Sequence, residues 1–184
     1  IKQDNPKQNK QLIIKHIVIG PTNLSMDLSK IESIRVQDSE EMFNETIKYF
    51  DNSDVIICSA AISDFKPVEV VQNKIKKEKG LESIKLEPTT DILLELGKIK
   101  TSQFLVGFAL ETDNFIKNAK NKLKSKNLDA IVVNKIDDFN PISSDYNQID
   151  FINSDLEITS FEKKLKIDVS SDILNQIIKN VKKA

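Results

Sequence analysis

Short runs of aliphatic and β-branched residues alternate along the chain with segments whose apolar residues recur every three or four positions. The strand-like runs are residues 12–19 (LIIKHIVI), 31–36, 55–57, 84–86, 104–108 (FLVGF) and 130–133. The alternation predicts an α/β fold with a Rossmann-like, mainly parallel sheet and helices on both faces. Further runs at 149–152, 156–158 and 165–167 predict a C-terminal β meander.

Four helices are expected from their start signals and periodicity. Asp38 is followed by Glu41 three residues later, which is a capping-box pattern. Thr89 or Thr90 is expected to cap the second helix and Thr112 the third, whose apolar stripe is Phe115, Ala119 and Leu123. Ser170 or Ser171 is expected to cap the last helix.

Composition limits the classes of protein that fit. The 184 residues suit one domain, with 1–11 as a polar tail or linker and 12–184 as the folded unit. A net charge of −1 argues against nucleic-acid or membrane binding, and no membrane-spanning run or signal peptide is visible. A single cysteine excludes an intrachain disulfide and fits a reducing, cytoplasmic location.

Candidate chemistry concentrates at the carboxyl ends of the predicted strands, where ligands bind in open α/β sheets. Ser59 and Ala60 follow a buried strand and would let a ring or ribose approach the backbone. Asp64, just beyond, would accept a hydrogen bond from the ligand or help to hold Mg²⁺; the alternative is a turn cap. In residues 74–77 (KIKK), Lys74 would neutralise phosphates, or the run is simply a solvated face.

Three later segments carry similar alternatives. The N-terminus of the predicted second helix (Thr90, Asp91, Ile92 and Leu93) offers backbone N–H groups to an anion, or is merely capped. Phe108 would stack on a base or belong to the core. Lys122 and Lys126 share one helix face, which would reach the ligand or stay in water. Asn134, after residues 129–133 (DAIVV), would bind ligand or close a turn.

Other patterns are absent or weak. With four glycines in the chain, neither a dinucleotide-binding GxGxxG nor a phosphate-binding GxxxxGK[ST] loop occurs. Neither tyrosine is part of a Tyr-x-x-x-Lys pair, so the sequence gives little support for a nicotinamide-dependent oxidoreductase. His16 and Cys58, each the only one of its type, fit a satisfied strand residue and a small buried hydrophobe better than catalysts.

In this order, the motifs AAISDFKP, KIKK, TTDIL, VGFALET and KLKSKNLDAIVVN resemble phosphopantothenoylcysteine synthetases, the ligase half of the bifunctional coenzyme A biosynthesis flavoprotein. GPTNL and SSDYNQIDFI add to the resemblance, which runs from about residue 17 to the end. It implies a ligase that joins 4′-phosphopantothenate to cysteine through an acyl-cytidylate formed from CTP, with Mg²⁺. It also implies a homodimer, and FMN only if a decarboxylase domain lies upstream. The residues themselves leave CTP and ATP as alternatives.

Carried over by motif, the resemblance implies a nucleotide site with Asp64 and Lys74 as its central residues. The other residues implied are Ser59, Ala60, Thr90, Asp91, Ile92, Leu93, Phe108, Lys122 and Lys126, with Asn134 a weaker candidate. The chain departs from the family at Thr89-Thr90, where Asn-Pro is usual, and at Lys66, where Arg is frequent.

The family's first strand, Gly-Gly-Thr loop and Asn-x-Ser-Ser-Gly segment have no counterpart in residues 1–16. A non-catalytic nucleotide-binding or partner subunit of the same pathway is therefore the alternative function.

Overall fold

Residues 13–23, 27–69, 83–111, 114–135 and 144–182 are described by a computed structural model of the chain. The strands are β1 (His16–Ile19), β2 (Glu32–Arg35), β3 (Val55–Cys58), β4 (Phe65–Pro67), β5 (Leu86–Pro88), β6 (Phe104–Glu111), β7 (Ala130–Lys135), β8 (Tyr146–Asn147), β9 (Ile149–Asn153), β10 (Ile158–Ser160) and β11 (Lys164–Leu165). The helices are α1 (Ser39–Phe50), α2 (Ile92–Ile99), α3 (Phe115–Ser125) and α4 (Lys166–Val181). Within these ranges no helix combines the length and apolar character that a membrane span requires.

The largest sheet has five strands in the order β10-β9-β7-β6-β3. Strands β3, β6 and β7 are parallel, whereas β9 and β10 run antiparallel to their neighbours. The predicted α/β fold with a parallel centre and a C-terminal meander is therefore confirmed. Strand β6 occupies the middle of the parallel part, and Val106 lies opposite Ile57 on β3 and Ala130 on β7.

Helices cover both faces of this sheet, as the alternation of strands and helices predicted. On one face, Leu105, Ile131 and Val133 belong to an apolar cluster with buried residues of α1, α2 and α3. On the other, Val106 and Val132 pack with Ile173 and its neighbours on α4. Each strand residue points to the face opposite that of the next, so one run of the sequence serves two cores.

Three pairs of strands lie outside the five-stranded sheet. Strands β1 and β2 form a parallel pair, β4 and β5 an antiparallel ribbon, and β8 and β11 a short antiparallel pair. Strand β4 was not expected, because Pro67 in a polar stretch argued for a loop. Proline is tolerated in a two-stranded ribbon, where one side of each strand needs no N–H donor.

The capping box of α1 is confirmed. The carboxylate of Asp38 accepts a hydrogen bond from the Glu41 N–H at 2.9 Å. The Glu41 side chain in turn accepts one from the Gln37 N–H at 2.8 Å, one residue earlier than in the standard arrangement. Met42 and Phe50 are buried, as their spacing predicted.

The other three helix starts differ from the prediction. Asp91, and neither Thr89 nor Thr90, caps α2, because its carboxylate accepts from the Leu94 N–H at 3.0 Å. Helix α3 begins after Asn114, which adopts a left-handed conformation with φ 47°. The predicted cap, Thr112, lies outside the described residues and before that position.

Helix α4 begins a full turn earlier than predicted. Its N-cap position is Leu165, so Ser170 and Ser171 lie inside the helix. Their hydroxyls donate to the Ile167 carbonyl at 2.6 and 3.3 Å instead of capping. Because serine hydroxyls bond the preceding turn as readily as they cap, the serine pattern alone misplaced this boundary.

Candidate functional site

The carboxyl ends of β3, β6 and β7 lie along one edge of the sheet, since these strands are parallel. Strand β3 delivers Ser59 and Ala60 to this edge, and both are exposed. Asn134 is the last residue but one of β7 and is paired in register with Leu110 of β6. The sequence therefore placed its small-residue segment and its amide at a common edge.

Asp64 lies at the base of the β4–β5 ribbon and is exposed. Its carbonyl accepts a hydrogen bond from the Thr89 N–H at 3.0 Å, and the Thr89 hydroxyl donates to the Ser63 carbonyl. These bonds join the two ends of the ribbon where it leaves the sheet edge. The Asp64 carboxylate is consequently presented to solvent from a backbone that is fixed on both sides.

An ion pair connects the same ribbon to α1. The Lys66 ammonium lies 3.2 Å from a carboxylate oxygen of Glu40 and 3.7 Å from one of Glu87. The hydrogen bond to Glu40 raises the pKa of Lys66 above its ordinary value. Lys66 was noted in the sequence only as a departure from the family's arginine, so its tie to α1 was missed.

Two predicted site residues contact each other at the start of α2. The Lys126 ammonium lies 2.7 Å from one Asp91 carboxylate oxygen and 3.0 Å from the other. Asp91 also caps α2, so a single carboxylate occupies the helix N-terminus and neutralises the lysine. The sequence predicted both as separate nucleotide contacts, and their separation of 35 positions gave no signal that they pair.

The side chains of Ile92 and Leu93 turn away from this helix terminus. Ile92 is buried and Leu93 half-buried, and both pack in the cluster beneath α2. A β-carbon on Gly107 would lie 2.6 Å from a methyl of Leu93, so β6 passes close under the helix. The side chain of Ile92 is therefore closed to a ligand, and that of Leu93 is partly covered.

Helices α2 and α3 approach each other closely at Gly97. A β-carbon there would lie 1.9 Å from the Lys126 carbonyl oxygen. The Asn127 side-chain amide donates to the Gly97 carbonyl at 2.9 Å, and Asn127 adopts φ 52° to make the turn. The position of Lys126 relative to α2 is therefore set by backbone contact as well as by Asp91.

Phe108 lies on the opposite face of the sheet from the lysines. Its half-buried ring packs against the cluster that contains Val106 and Val132 on the α4 face. Lys122 and Lys126 are on α3, which packs on the other face. The structure therefore separates Phe108 from the two lysines by the thickness of the sheet.

Two predicted site residues remain, Asn134 and Lys74, and the structure describes only the first of them. The Asn134 side-chain oxygen accepts a hydrogen bond from Asn147 at 3.1 Å, which connects β7 to β8. Lys74, with the rest of residues 74–77, lies outside the described residues. Its assignment stays a prediction.

Cys58 and His16 both lie in strands, as expected, but among the described residues the Nδ1 atom of His16 is buried without a hydrogen-bond partner. Cys58 packs against the apolar cluster under α1, and burial raises the pKa of its thiol to about 12. His16 stacks on Tyr49 at 4.2 Å between ring centroids, and its Nδ1 lies 2.9 Å from Glu32. A thiol with that pKa is a poor nucleophile at neutral pH.

Two further features of the described ranges bear on the site. No group of three or more His, Cys, Asp or Glu side chains there could hold a metal ion. An open groove of about 740 Å³ lies along the outer side of α3, lined by Asn114, Lys117, Lys120 and Lys124 among others. None of the predicted site residues lines it, so the groove is not the site that the motifs indicate.

Comparison with known families gives a match over nearly the whole chain. Residues 14–181 match the family described as the DNA/pantothenate metabolism flavoprotein C-terminal domain. A protein from an unknown prokaryotic organism, named cysteine/cysteine sulfinic acid decarboxylase, is 42% identical over 164 residues, which cover 88% of this chain and 46% of that protein. The coenzyme A biosynthesis bifunctional protein CoaBC of Bacillus subtilis (strain 168) is 36% identical over 162 residues, 88% of this chain and 40% of the relative. The chain thus spans less than half the length of either curated relative.

Solved structures agree with the family match. The C-terminal domain of a CoaBC protein superposes with a TM-score of 0.76 at 32% identity, covering 92% of this chain and 75% of that one. A Cab2 mutant in complex with phosphopantothenate-cysteine superposes with a TM-score of 0.64 at 16% identity, covering 84% of this chain and 54% of that one. At that identity the second likeness concerns the fold alone.

Proposed function

Because the chain belongs to the family of DNA/pantothenate metabolism flavoprotein C-terminal domains, we propose that it ligates 4′-phosphopantothenate to cysteine at the expense of CTP. The observation that carries the proposal is the 36% identity with CoaBC of Bacillus subtilis over 162 residues. The family match over residues 14–181 spans every motif noted in the sequence, and Ser59, Ala60 and Asn134 lie at the carboxyl edge of the parallel strands. In folds of this class, that edge is where nucleotides bind.

The reaction has two displacements. A carboxylate oxygen of phosphopantothenate attacks the α-phosphorus of CTP, the bond to the β-phosphate oxygen breaks, and pyrophosphate leaves. The amine of cysteine then attacks the acyl carbon, the bond from that carbon to the phosphate oxygen breaks, and CMP leaves as the new amide loses a proton. Both steps need charge neutralisation and positioning more than a protein nucleophile. The unreactive setting of Cys58 and the stacked position of His16 agree with such a mechanism.

In this proposal Ser59 and Ala60 border the nucleotide through their backbone, and Asp64 contacts it from the base of the ribbon. Lys74 neutralises the phosphates. Mg²⁺ bound with the triphosphate would withdraw further charge from the phosphate oxygens. The protein acts as a homodimer in the cytoplasm, as the family resemblance implies.

Lys126 already has an ionic partner, which limits how it can bind the phosphates. Its ammonium has three N–H donors, and Asp91 takes part of that capacity at 2.7 Å. The phosphates must therefore share the ammonium with Asp91 or displace it. In this scheme Asp91 supports catalysis by holding the Lys126 ammonium at the N-terminus of α2.

The test is an assay of pyrophosphate release with CTP, phosphopantothenate and cysteine, with mass spectrometry of the phosphopantothenoylcysteine formed. Replacing CTP by ATP in parallel reactions decides the nucleotide. Lys74→Gln should lower kcat by about a hundredfold or more, as loss of a group that stabilises transition-state charge does. Lys77→Gln, in the same run of lysines, is the matched control and should retain nearly full activity.

Three outcomes would count against the proposal. No turnover by the complete gene product would exclude a ligase. Release of CO₂ from cysteine without pyrophosphate would favour the activity for which the 42% identical relative is named. Equal rates for Lys74→Gln and Lys77→Gln would remove Lys74 from its role while leaving the reaction intact.

A further inference from the structure

A row of lysines runs along the outer side of α3, a helix that contains four lysines and no acidic residue. Lys117, Lys120 and Lys124 follow one another at helical spacing and line the open groove of about 740 Å³, the α3 groove. Among the described residues, none of the three makes an ion pair. By contrast, Lys48 of α1 and Lys98 of α2 lie 2.6 and 2.7 Å from a glutamate on the same helix. The row therefore carries positive charge that the rest of the described chain leaves unbalanced.

These lysines weaken the helix that carries them. Lys117 lies in the first turn of α3, where the helix dipole favours acidic side chains. Lys120 is three positions after Lys117 and four before Lys124, so like charges repel along one face. Two acids of the β9–β10 turn, Asp155 and Glu157, form no ion pair with the lysines in the described part of the chain. A face that breaks the local rules of helix stability is a candidate for a functional surface.

The floor of the α3 groove is apolar. Phe115, Ile116 and Leu156 line it, and all three are half-buried where they pack against the core beneath α3. Leu156 lies in the β9–β10 turn with φ 65°, a left-handed conformation that favours glycine or asparagine. A leucine at this position costs backbone strain, and its side chain borders the groove. The groove thus combines an aliphatic floor with a cationic rim.

We propose that the α3 groove binds an acidic amphipathic helix of a partner protein. The lysine row extends over seven positions, which is about 10 Å along the helix axis. Carboxylates at every third or fourth position of a partner helix would face the three ammonium groups. An aliphatic residue between those carboxylates would cover Ile116 and Leu156, as in other complexes of a helix in a groove.

Other anions fit the α3 groove less well. Compact phosphates are held most firmly by arginine forks or by several backbone N–H groups, and the one arginine of the chain, Arg35, does not line the groove. Nucleic acids and anionic lipid surfaces attract strongly basic molecules, whereas this chain has a net charge of −1. None of the predicted nucleotide-site residues lines the groove, so the proposal is independent of the ligase function.

Fluorescence anisotropy with the full-length protein tests the proposal. The probe is a labelled synthetic helix of about four turns, with glutamates at i, i+3 and i+7 and leucines between them. Saturable binding should weaken about tenfold or more as NaCl is raised from about 50 to 500 mM, because salt screens exposed charges. Peptides with glutamines in place of the glutamates, or alanines in place of the leucines, should bind about tenfold more weakly.

Two matched pairs of substitutions locate the contact. Lys120→Gln with Lys124→Gln should weaken peptide binding about tenfold or more and leave pyrophosphate release at the parent rate. Lys179→Gln with Lys182→Gln, at the exposed end of α4, removes the same charge and should change the affinity by less than about twofold. Leu156→Asn supplies a residue suited to φ 65° and removes the aliphatic contact, so it should weaken binding in a protein that still folds.

Thermal unfolding separates this role from a structural one. Lys117→Glu places an acid in the first turn of α3 and turns the repulsion with Lys120 into attraction. The Tm of the free protein should therefore rise by roughly 1–4 °C. The same substitution should abolish binding of the peptide. Lysines that stabilise the fold would give the opposite result, a lower Tm.

Several results would overturn the proposal. Absence of saturable binding would show that the α3 groove takes no acidic helix, and equal affinity for the parent and for the Lys120→Gln, Lys124→Gln variant would place the peptide elsewhere. A lower Tm for Lys117→Glu would give the row a structural role. Lysine-dependent binding of inorganic triphosphate, a single-stranded oligonucleotide or phosphatidylserine vesicles, without binding of the peptide, would assign the groove to that anion. Self-association that is lost in the double variant would assign it to a second copy of the chain.

Discussion

Replacing Gly97 by alanine should destabilise the protein, although Gly→Ala inside a helix ordinarily stabilises. Helix propensity alone would favour alanine by about 1 kcal/mol. In this fold, however, the added β-carbon would lie 1.9 Å from the Lys126 carbonyl oxygen and 2.9 Å from the carbonyl carbon. Both atoms belong to backbone and cannot swing aside, so the end of α3 must move by about 1.5 Å to restore ordinary contact.

The magnitude follows from three contributions. Overpacking costs about 1–3 kcal/mol and sometimes more. The hydrogen bond from Asn127 to the Gly97 carbonyl, about 1 kcal/mol, is lost when the helices separate. After subtraction of the propensity gain, the net loss is about 1–3 kcal/mol, which corresponds to roughly 2–12 °C in Tm for a chain of this size.

Thermal and urea unfolding followed by circular dichroism measure the effect, and the other glycines provide a graded control. At Gly107 the added β-carbon would meet methyl groups of Leu93 and Leu128 at 2.6 and 2.9 Å, and these side chains can rotate, so a smaller loss is expected. At Gly20 it would lie 3.5 Å from a methyl of Met42, an ordinary contact, so alanine should be nearly neutral. A higher Tm for Gly97→Ala than for the parent protein would refute this reasoning.

Local contacts of Asp38, Asp91 and Cys58 give four further tests. Asp38→Ala should cost about 1 kcal/mol in urea unfolding through loss of the α1 cap, whereas Asp38→Ser should recover most of it. Asp91→Asn keeps a helix cap but removes the charge opposite Lys126; in a double-mutant cycle with Lys126→Met the coupling should be about 0.5–1 kcal/mol, and additive losses would show that the pair contributes nothing. Because burial raises the pKa of the Cys58 thiol to about 12, the folded state keeps its proton while the unfolded state loses it, so stability should fall as pH rises from about 9 to 12, and less steeply in Cys58→Ala. Cys58 should also react with iodoacetamide far more slowly in the native protein than in urea, and equal rates would contradict its burial.

Local sequence patterns predicted the presence of helices and strands better than the residues at which they begin. The α1 cap is a contact between residues three positions apart, so the sequence displays it directly. The start of α4 depends instead on the Lys166 N–H, which donates to the distant Asp145 carbonyl at 2.8 Å and draws the helix back by a turn. For α2, the carboxylate of Asp91 caps where threonine was expected, and the Thr89 hydroxyl bonds to Ser63 across the ribbon.

The candidate site shows the same division between local and distant contacts. Strand ends followed by small or polar residues placed Ser59, Ala60 and Asn134 at one sheet edge, because parallel strands share that edge. The pairing of Asp91 with Lys126 and the position of Phe108 across the sheet depend on how distant elements pack. The pairing of β1 with β2 in a sheet separate from β3 and β6 could not be predicted either, because no local sequence pattern indicates which strands are neighbours.

The stacking of His16 on Tyr49 gives the protein a built-in spectroscopic marker. The chain has one histidine and no tryptophan, so the imidazole protons should give isolated resonances that need no assignment by mutagenesis. The tyrosine ring 4.2 Å away should shift them from their random-coil positions. Because His16 opens β1, those two signals would report in a one-dimensional spectrum whether the small sheet is docked on α1.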